Sequence, residues 1–216
     1  MKNNAVMLVV TLILGVFSAG CGATRASHYY QLNVLSGARV PASEQPLPVT
    51  ILVSRFYSSH LYREDRIVYS TQHESMGLYQ YERWAEPPAE MLDEMLVRRL
   101  RHSHRYRQVY SMRSSVHGDY LLRGHLYDLK EVDTGSGLVA RVSFDAELLD
   151  AKTRNLLWTH TYTHDEPAAA KTIDAVVAAL DRNAQAGIAD LADSLDAYFT
   201  AHPPANAPSS STSGQN

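Results

Sequence analysis

Asp145 and Glu147 stand two residues apart in "LVARVSFDAELLD". On an extended strand such a pair shares one face about 6.6 Å apart, close to the spacing of the carboxylates that work together in glycoside hydrolysis. The same stretch places Arg141 and Ser143 on that face, with Leu138, Ala140, Val142, Phe144, Ala146 and Leu148 on the other. The plainer reading is therefore the wet face of an amphipathic strand. Ten histidines raise the question of a metal. His160 and His164 share a strand face, but four residues separate them by about 13 Å, too far for one ion. His102 and His104 fall two apart near a helix end, where side chains do not face each other. Gly135 and Gly137 in "DTGSG" lack the lysine and the following helix that a phosphate cradle needs, and read as a hairpin turn. There is no Gly-x-Ser-x-Gly elbow for a serine nucleophile. The expectation is a protein that is not an enzyme and uses neither metal nor cofactor.

Cys21, the only cysteine, offers a different chemistry. Lys2 precedes the apolar run "AVMLVVTLILGVFSAG", which ends at Gly20. That run is short of the roughly 20 residues of a membrane span and suits the core of a cleaved signal peptide over residues 1–20. Ala19 and Gly20 directly before a cysteine resemble the lipobox of bacterial lipoproteins, with Ser18 where a branched aliphatic residue is usual. In such proteins the thiol receives a diacylglycerol and the cysteine becomes the new amino terminus. The alternative is an ordinary secretory signal that leaves Cys21 as a free thiol. Each buried acyl methylene contributes about 0.8 kcal/mol, and two chains anchor stably where one does not. Gly22 rather than Asp after the cysteine favours the outer membrane, with the domain facing the periplasm.

A chain of 216 residues with 45% hydrophobic content can hold one sizeable core. A net charge of −3, from 20 basic and 23 acidic residues, leaves no electrostatic footprint for nucleic acid. After a short linker over residues 21–27, "HYYQLNV" reads as a first strand and "ARVPASEQPLP" as a loop punctuated by proline. Short strands follow in "VTILVSRF", "RIVYSTQ" and "LYQYERW", then "RQVYSM", "DYLLRGHLYDLKEV", "LVARVSFDAELLD" and "LLWTHTYTHDEP". The last three are joined by turns too short for parallel crossovers. Met91, Leu92, Met95, Leu96 and Leu100 line one face of a helix opening at "EPP". A second helix from about Ala168 to Thr200 carries Ile173, Val177, Leu180, Ala184, Ile188, Leu191, Leu195 and Tyr198 in steps of three and four. The fold class expected is α+β: a largely antiparallel sheet of short strands with two amphipathic helices packed on one face. The domain spans residues 28–200, and the Pro/Ser-rich residues 201–216 form a disordered tail.

Where the fourth stretch of sheet meets the first helix, "LYQYERWAEPPAEML" places Tyr81, Arg83 and Trp84 at a corner. Tyr79 and Tyr81 share a strand face, and the indole can pack beneath while Arg83 and Glu86 stay wet. An early "YYQL", a strand like "VTILVSRF", then "IVYS" and "YERWAEPP" opening a helix resemble the ABC-type transport auxiliary lipoprotein family. This is the group that includes the paraquat-inducible C lipoprotein. The resemblance covers residues 28 to 200. It implies a non-catalytic lipoprotein that helps move lipids or other hydrophobic molecules across the envelope. Its implied partners are a subunit with mammalian-cell-entry (MCE) domains, a permease and an ATPase, with the membrane reached through the lipid anchor. A homo-oligomer is compatible with this reading. Two other classes stay open: a structural lipoprotein assisting outer-membrane assembly without a transporter, and an envelope hydrolase built on Asp145 and Glu147.

Overall fold

In the computed structural model, the described residues are 25–33, 46–71, 75–112 and 116–204. Residues 1–20, Cys21, most of the first proline-punctuated loop and the tail from residue 205 lie outside them. Nine strands form one sheet: β1 (His28–Tyr30), β2 (Leu47–Val53), β3 (Tyr57–Ser58), β4 (Arg66–Ser70), β5 (Met76–Trp84), β6 (Tyr106–Ser111), β7 (Tyr120–Asp133), β8 (Leu138–Asp150) and β9 (Leu156–Pro167). Helix α1 (Pro88–His102) lies between β5 and β6, and α2 (Ile173–Ala201) follows β9.

The long strands β7, β8 and β9 form the antiparallel meander that the short turns require. On β8 the residues Ala140, Val142, Phe144, Ala146 and Leu148 are buried, and the alternate residues Val139 to Glu147 are not. Helix α2 lies on that apolar face, with Val177, Leu180, Ala184, Ile188, Leu191 and Leu195 in the core. Close approach is set at Gly187, where a Cβ would sit 2.7 Å from the Tyr162 ring and 2.9 Å from that of Phe144. Asn183, 1% exposed, pins the helix to two strands: its Nδ2 donates to the Ala140 and His164 carbonyls, and its Oδ1 accepts from Tyr162 at 2.8 Å. Helix α1 packs alongside α2 and against β6. Thr172 caps α2 by accepting from Ala175 N, so the helix begins five residues after Ala168.

The α+β class and the two sheet-packed helices hold, and three antiparallel pairings, β4–β5, β7–β8 and β8–β9, carry most of the paired length. The other pairings among the described residues are parallel, so the sheet is partly parallel, and β4–β5 is the antiparallel pair of the first half of the chain. Successive segments β2, β3 and β4 all run parallel to β7, at Ile51↔Tyr120, Tyr57↔His125 and Val68↔Lys130. Strand β1 is parallel to β5, with Tyr29 opposite Arg83. Chain distance explains the miss. Each of these pairings joins segments more than 40 residues apart in sequence, beyond any turn signal. Strand β2 also starts earlier than expected, taking in Pro48. The register shifts between Leu47 and Thr50 there, the kind of irregularity at which a strand tolerates a residue with no N–H to give.

Candidate functional site

Strand β5 runs into α1 through Trp84, Ala85, Glu86 and Pro87. Trp84 is fully buried. Its backbone N donates to Asp65 O, and the Asp65 carboxylate accepts from Arg83 Nη1 at 2.6 Å, so one residue before β4 fixes two consecutive residues of the corner. Arg66 stands opposite Arg83 in the ladder, and each is neutralised by its own acid, Glu64 at 2.7 Å for Arg66. On the other edge Ala85 N donates to Tyr30 O at 2.6 Å, so the corner is held from both sides. Tyr81 is half-buried with the Arg25 guanidinium 5.1 Å above its ring. Pro87 and Pro88 then lead into the helix, and Glu90 lies in its first turn, where the dipole favours an anion.

The structure brings this corner against a groove that local sequence gives no reason to expect. Ser54–Ser58, Tyr62 and Arg63 form one wall, Pro87, Ala89, Glu90 and Asp93 the other, and Ser111 and Met112 close one end around a volume of about 770 Å³. Asp93 accepts from Phe56 N at 2.7 Å, and Arg55 approaches Glu90 at 3.7 Å. Phe56 is buried because β7 carries glycine beneath it: a Cβ on Gly124 would fall 2.4 Å from the Phe56 ring. Phe56 in turn meets Phe144 edge-on at 5.9 Å, tying the groove to the core. Tyr62 donates to Asp128 at 3.0 Å, and burial together with that carboxylate pushes its phenol above the usual range. Tyr57 is 67% exposed and Met112 50% exposed on the rim. The adjacent "FYSS" and "SM" carry the only local signal for these residues, aromatic and thioether side chains at the ends of strand patterns.

Tyr57 and Ser58 also line a smaller hollow of about 490 Å³, whose other residues include Arg123, Tyr127, Asp145 and Glu147. The carboxylate pair suggested by spacing does lie together here, but each oxygen pair has its own structural neighbour. Asp145 accepts from Tyr127 at 2.6 Å, and Glu147 accepts from Arg123 at 2.7 Å across the β7–β8 ladder. The histidines are dispersed. His160 meets Asp190 of α2 at 2.8 Å, His164 approaches Glu166, and His102 bonds to Arg98 O. Among the described residues no three His, Cys, Asp or Glu side chains come together as metal ligands do. Gly135, with φ of 79°, occupies the β7–β8 turn, its N–H donating to Asp133. Cys21 lies outside the described residues.

One buried acid near the corner strand titrates unusually. Glu131 of β7 is 6% exposed and accepts from Tyr79 of β5 at 3.0 and 3.1 Å. Burial holds its carboxyl above the usual range, with the Tyr79 hydrogen bond opposing. The folded protein thus binds this proton more tightly than the unfolded chain, so the contribution of Glu131 to stability falls as pH rises through the raised value. Glu131→Gln keeps an acceptor for Tyr79. It should gain stability relative to the parent on going from about pH 4.3, the ordinary glutamate value, to neutrality. Denaturant titrations of both proteins across that range check this, and parallel pH curves would refute it.

Residues 30–192 match the family model described as ABC-type transport auxiliary lipoprotein component. No curated protein matches the chain in sequence. Among solved structures, one from Xanthomonas campestris superposes with a TM-score of 0.69 at 20% identity, over 81% of this chain and 98% of that one. A second, described only as an uncharacterized protein, gives 0.62 at 15% identity, over 79% and 99%. At these identities the likeness is one of fold.

Proposed function

This chain belongs to the ABC-type transport auxiliary lipoprotein component family, and from that premise we propose that it is a non-catalytic envelope lipoprotein, anchored through Cys21, that docks on an ABC-type transport assembly. The observation that carries the reading is the family match over residues 30–192, which spans β2 to β9, α1 and most of α2. The assembly we assign is one with an MCE-domain subunit, a permease and an ATPase, moving lipids or other hydrophobic molecules across the envelope. The domain faces the periplasm from the outer membrane. A protein whose part is to hold a partner needs a surface rather than an acid, a base and a nucleophile. The groove beside the Trp84 corner supplies one: apolar surface at Phe56 and Ala89, with Tyr57, Met112 and the charged Arg55, Arg63, Glu90 and Asp93 around it. That composition suits a protein segment with one apolar anchor and flanking charges.

The test is a crosslinked pull-down of the C-terminally tagged protein from intact cells, with mass spectrometry of its partners. Recovery of an MCE-domain subunit supports the reading. Recovery of only barrel or cell-wall proteins favours instead a structural lipoprotein that assists outer-membrane assembly. The double variant Tyr57→Ala, Met112→Ala should change stability by no more than about 0.5 kcal/mol per site, because both side chains are exposed. It should nevertheless lose most of the crosslinked partner. Undiminished crosslinking would remove the groove from the docking surface.

A further inference from the structure

We propose that one end of the domain, together with its β1–β5 edge, lies on the phospholipid headgroups of the bilayer that holds the anchor; this rests on the acylation of Cys21 proposed above. Arg25, the first described residue, follows Cys21 by four residues. Whatever path they take, four residues span at most about 14 Å. Strand β1 is parallel to β5 with His28 opposite Glu82, so the chain preceding it points toward the start of β5 at Met76. That end of the sheet is well defined. Ser70 pairs with both Met76 and Val132, Asp133 pairs with Leu138, Pro167 pairs with Val139, and α2 begins shortly after.

The opposite end is out of reach. Helix α2 has 29 residues, about 43 Å of rise. Near its far terminus Phe199 packs on Tyr106 and Tyr120, beside the β8–β9 turn at Asp150–Asn155. A tether of about 14 Å cannot bring that end to the lipid while Arg25 stays in place against Glu82 and Tyr81. The near end and edge expose side chains suited to headgroups. Tyr29 is 64% exposed and Met76 41% exposed, the Arg25 and His28 side chains are 65% and 61% exposed, and Lys171 is exposed beside the β7–β8 turn. An aromatic ring with a polar tip and basic groups near anionic lipid are the pairing expected at an interface. Held this way, the end carrying Phe199 and Tyr120 projects farthest from the bilayer.

The lone cysteine makes the test direct, since in the acylated protein any introduced cysteine is the single free thiol. Tyr29→Cys, Met76→Cys and Lys152→Cys variants, the last in the β8–β9 turn, are each labelled with an environment-sensitive fluorophore. They are reconstituted into vesicles of phosphatidylethanolamine and phosphatidylglycerol carrying a headgroup spin label. Quenching several-fold stronger at positions 29 and 76 than at 152 supports the proposal, and equal or reversed quenching overturns it. Should Met76→Cys fold poorly by circular dichroism, Gln80→Cys on the exposed side of β5 replaces it. Mass spectrometry of the same samples separates the two readings. Acylated Cys21 without position-dependent quenching refutes the orientation alone, whereas an unacylated Cys21 refutes the anchor and the orientation with it.

Discussion

Trp84→Ala is expected to lower the free energy of unfolding by about 3–5 kcal/mol, the cost of truncating a fully buried aromatic. For a domain of this size each kcal/mol corresponds to roughly 2–4 °C in the unfolding midpoint, so the variant should melt more than about 6 °C lower. The loss has two sources: the apolar area of the indole, and the cavity left where a strand, the β4 approach and the start of α1 are held together. A second substitution separates volume from polarity. Trp84 Nε1 has no hydrogen-bond partner among the described residues, and a buried unpaired donor is itself costly. Trp84→Phe removes that donor while keeping a ring, so it should cost well under half of what alanine does. Differential scanning calorimetry of the three proteins decides it. If alanine at position 84 left the melt unchanged but abolished partner crosslinking, the corner would be a docking residue and not an internal anchor. The structure opposes that outcome, because a side chain with no exposed surface touches a partner only after the domain opens.

Cys21→Ala, made with an ordinary cleavable secretory signal in place of residues 1–20, is expected to move the protein from the membrane to the soluble fraction of the envelope. Its mass should fall by the acyl chains and the diacylglycerol as well as by the side-chain change. A diacyl anchor holds because two chains bury many methylenes at about 0.8 kcal/mol each, and no described helix is long and apolar enough to cross the membrane in its stead. The unfolding midpoint of the domain should not change, since its sheet and helices are built from residues 25–204. Fractionation with mass spectrometry reads both quantities at once. A variant that stayed with the membrane would show that something other than the thiol holds it there. A variant released but still crosslinked to the same subunit would show that docking does not depend on the anchor.

The sequence by itself determined what is local. Alternation on β8 marked that strand to the residue, because one buried and one wet face leave a period of two. The stripe along α2 and the proline-led start of α1 were legible for the same reason, periodicity and capping being written within a few residues. "YERWAEPP" likewise marked Trp84 as a corner, since a large aromatic between a strand pattern and a helix start has few other places to go. Tertiary structure alone decided the rest. That β2, β3 and β4 would line up in parallel along one edge of β7 depends on contacts across many tens of residues, whose energy is realised only when the whole sheet forms. The groove arises from that same juxtaposition: nothing local marks Phe56 and Tyr57 as its lining until Gly124 of β7 admits the Phe56 ring and Asp93 of α1 takes the Phe56 N–H. Asp145 and Glu147 show the converse, a spacing that suggested chemistry until folding set Tyr127 against the first and Arg123 against the second. Residue type and period fix which face a side chain takes, but its neighbours on that face come from distant parts of the chain and are chosen only by packing.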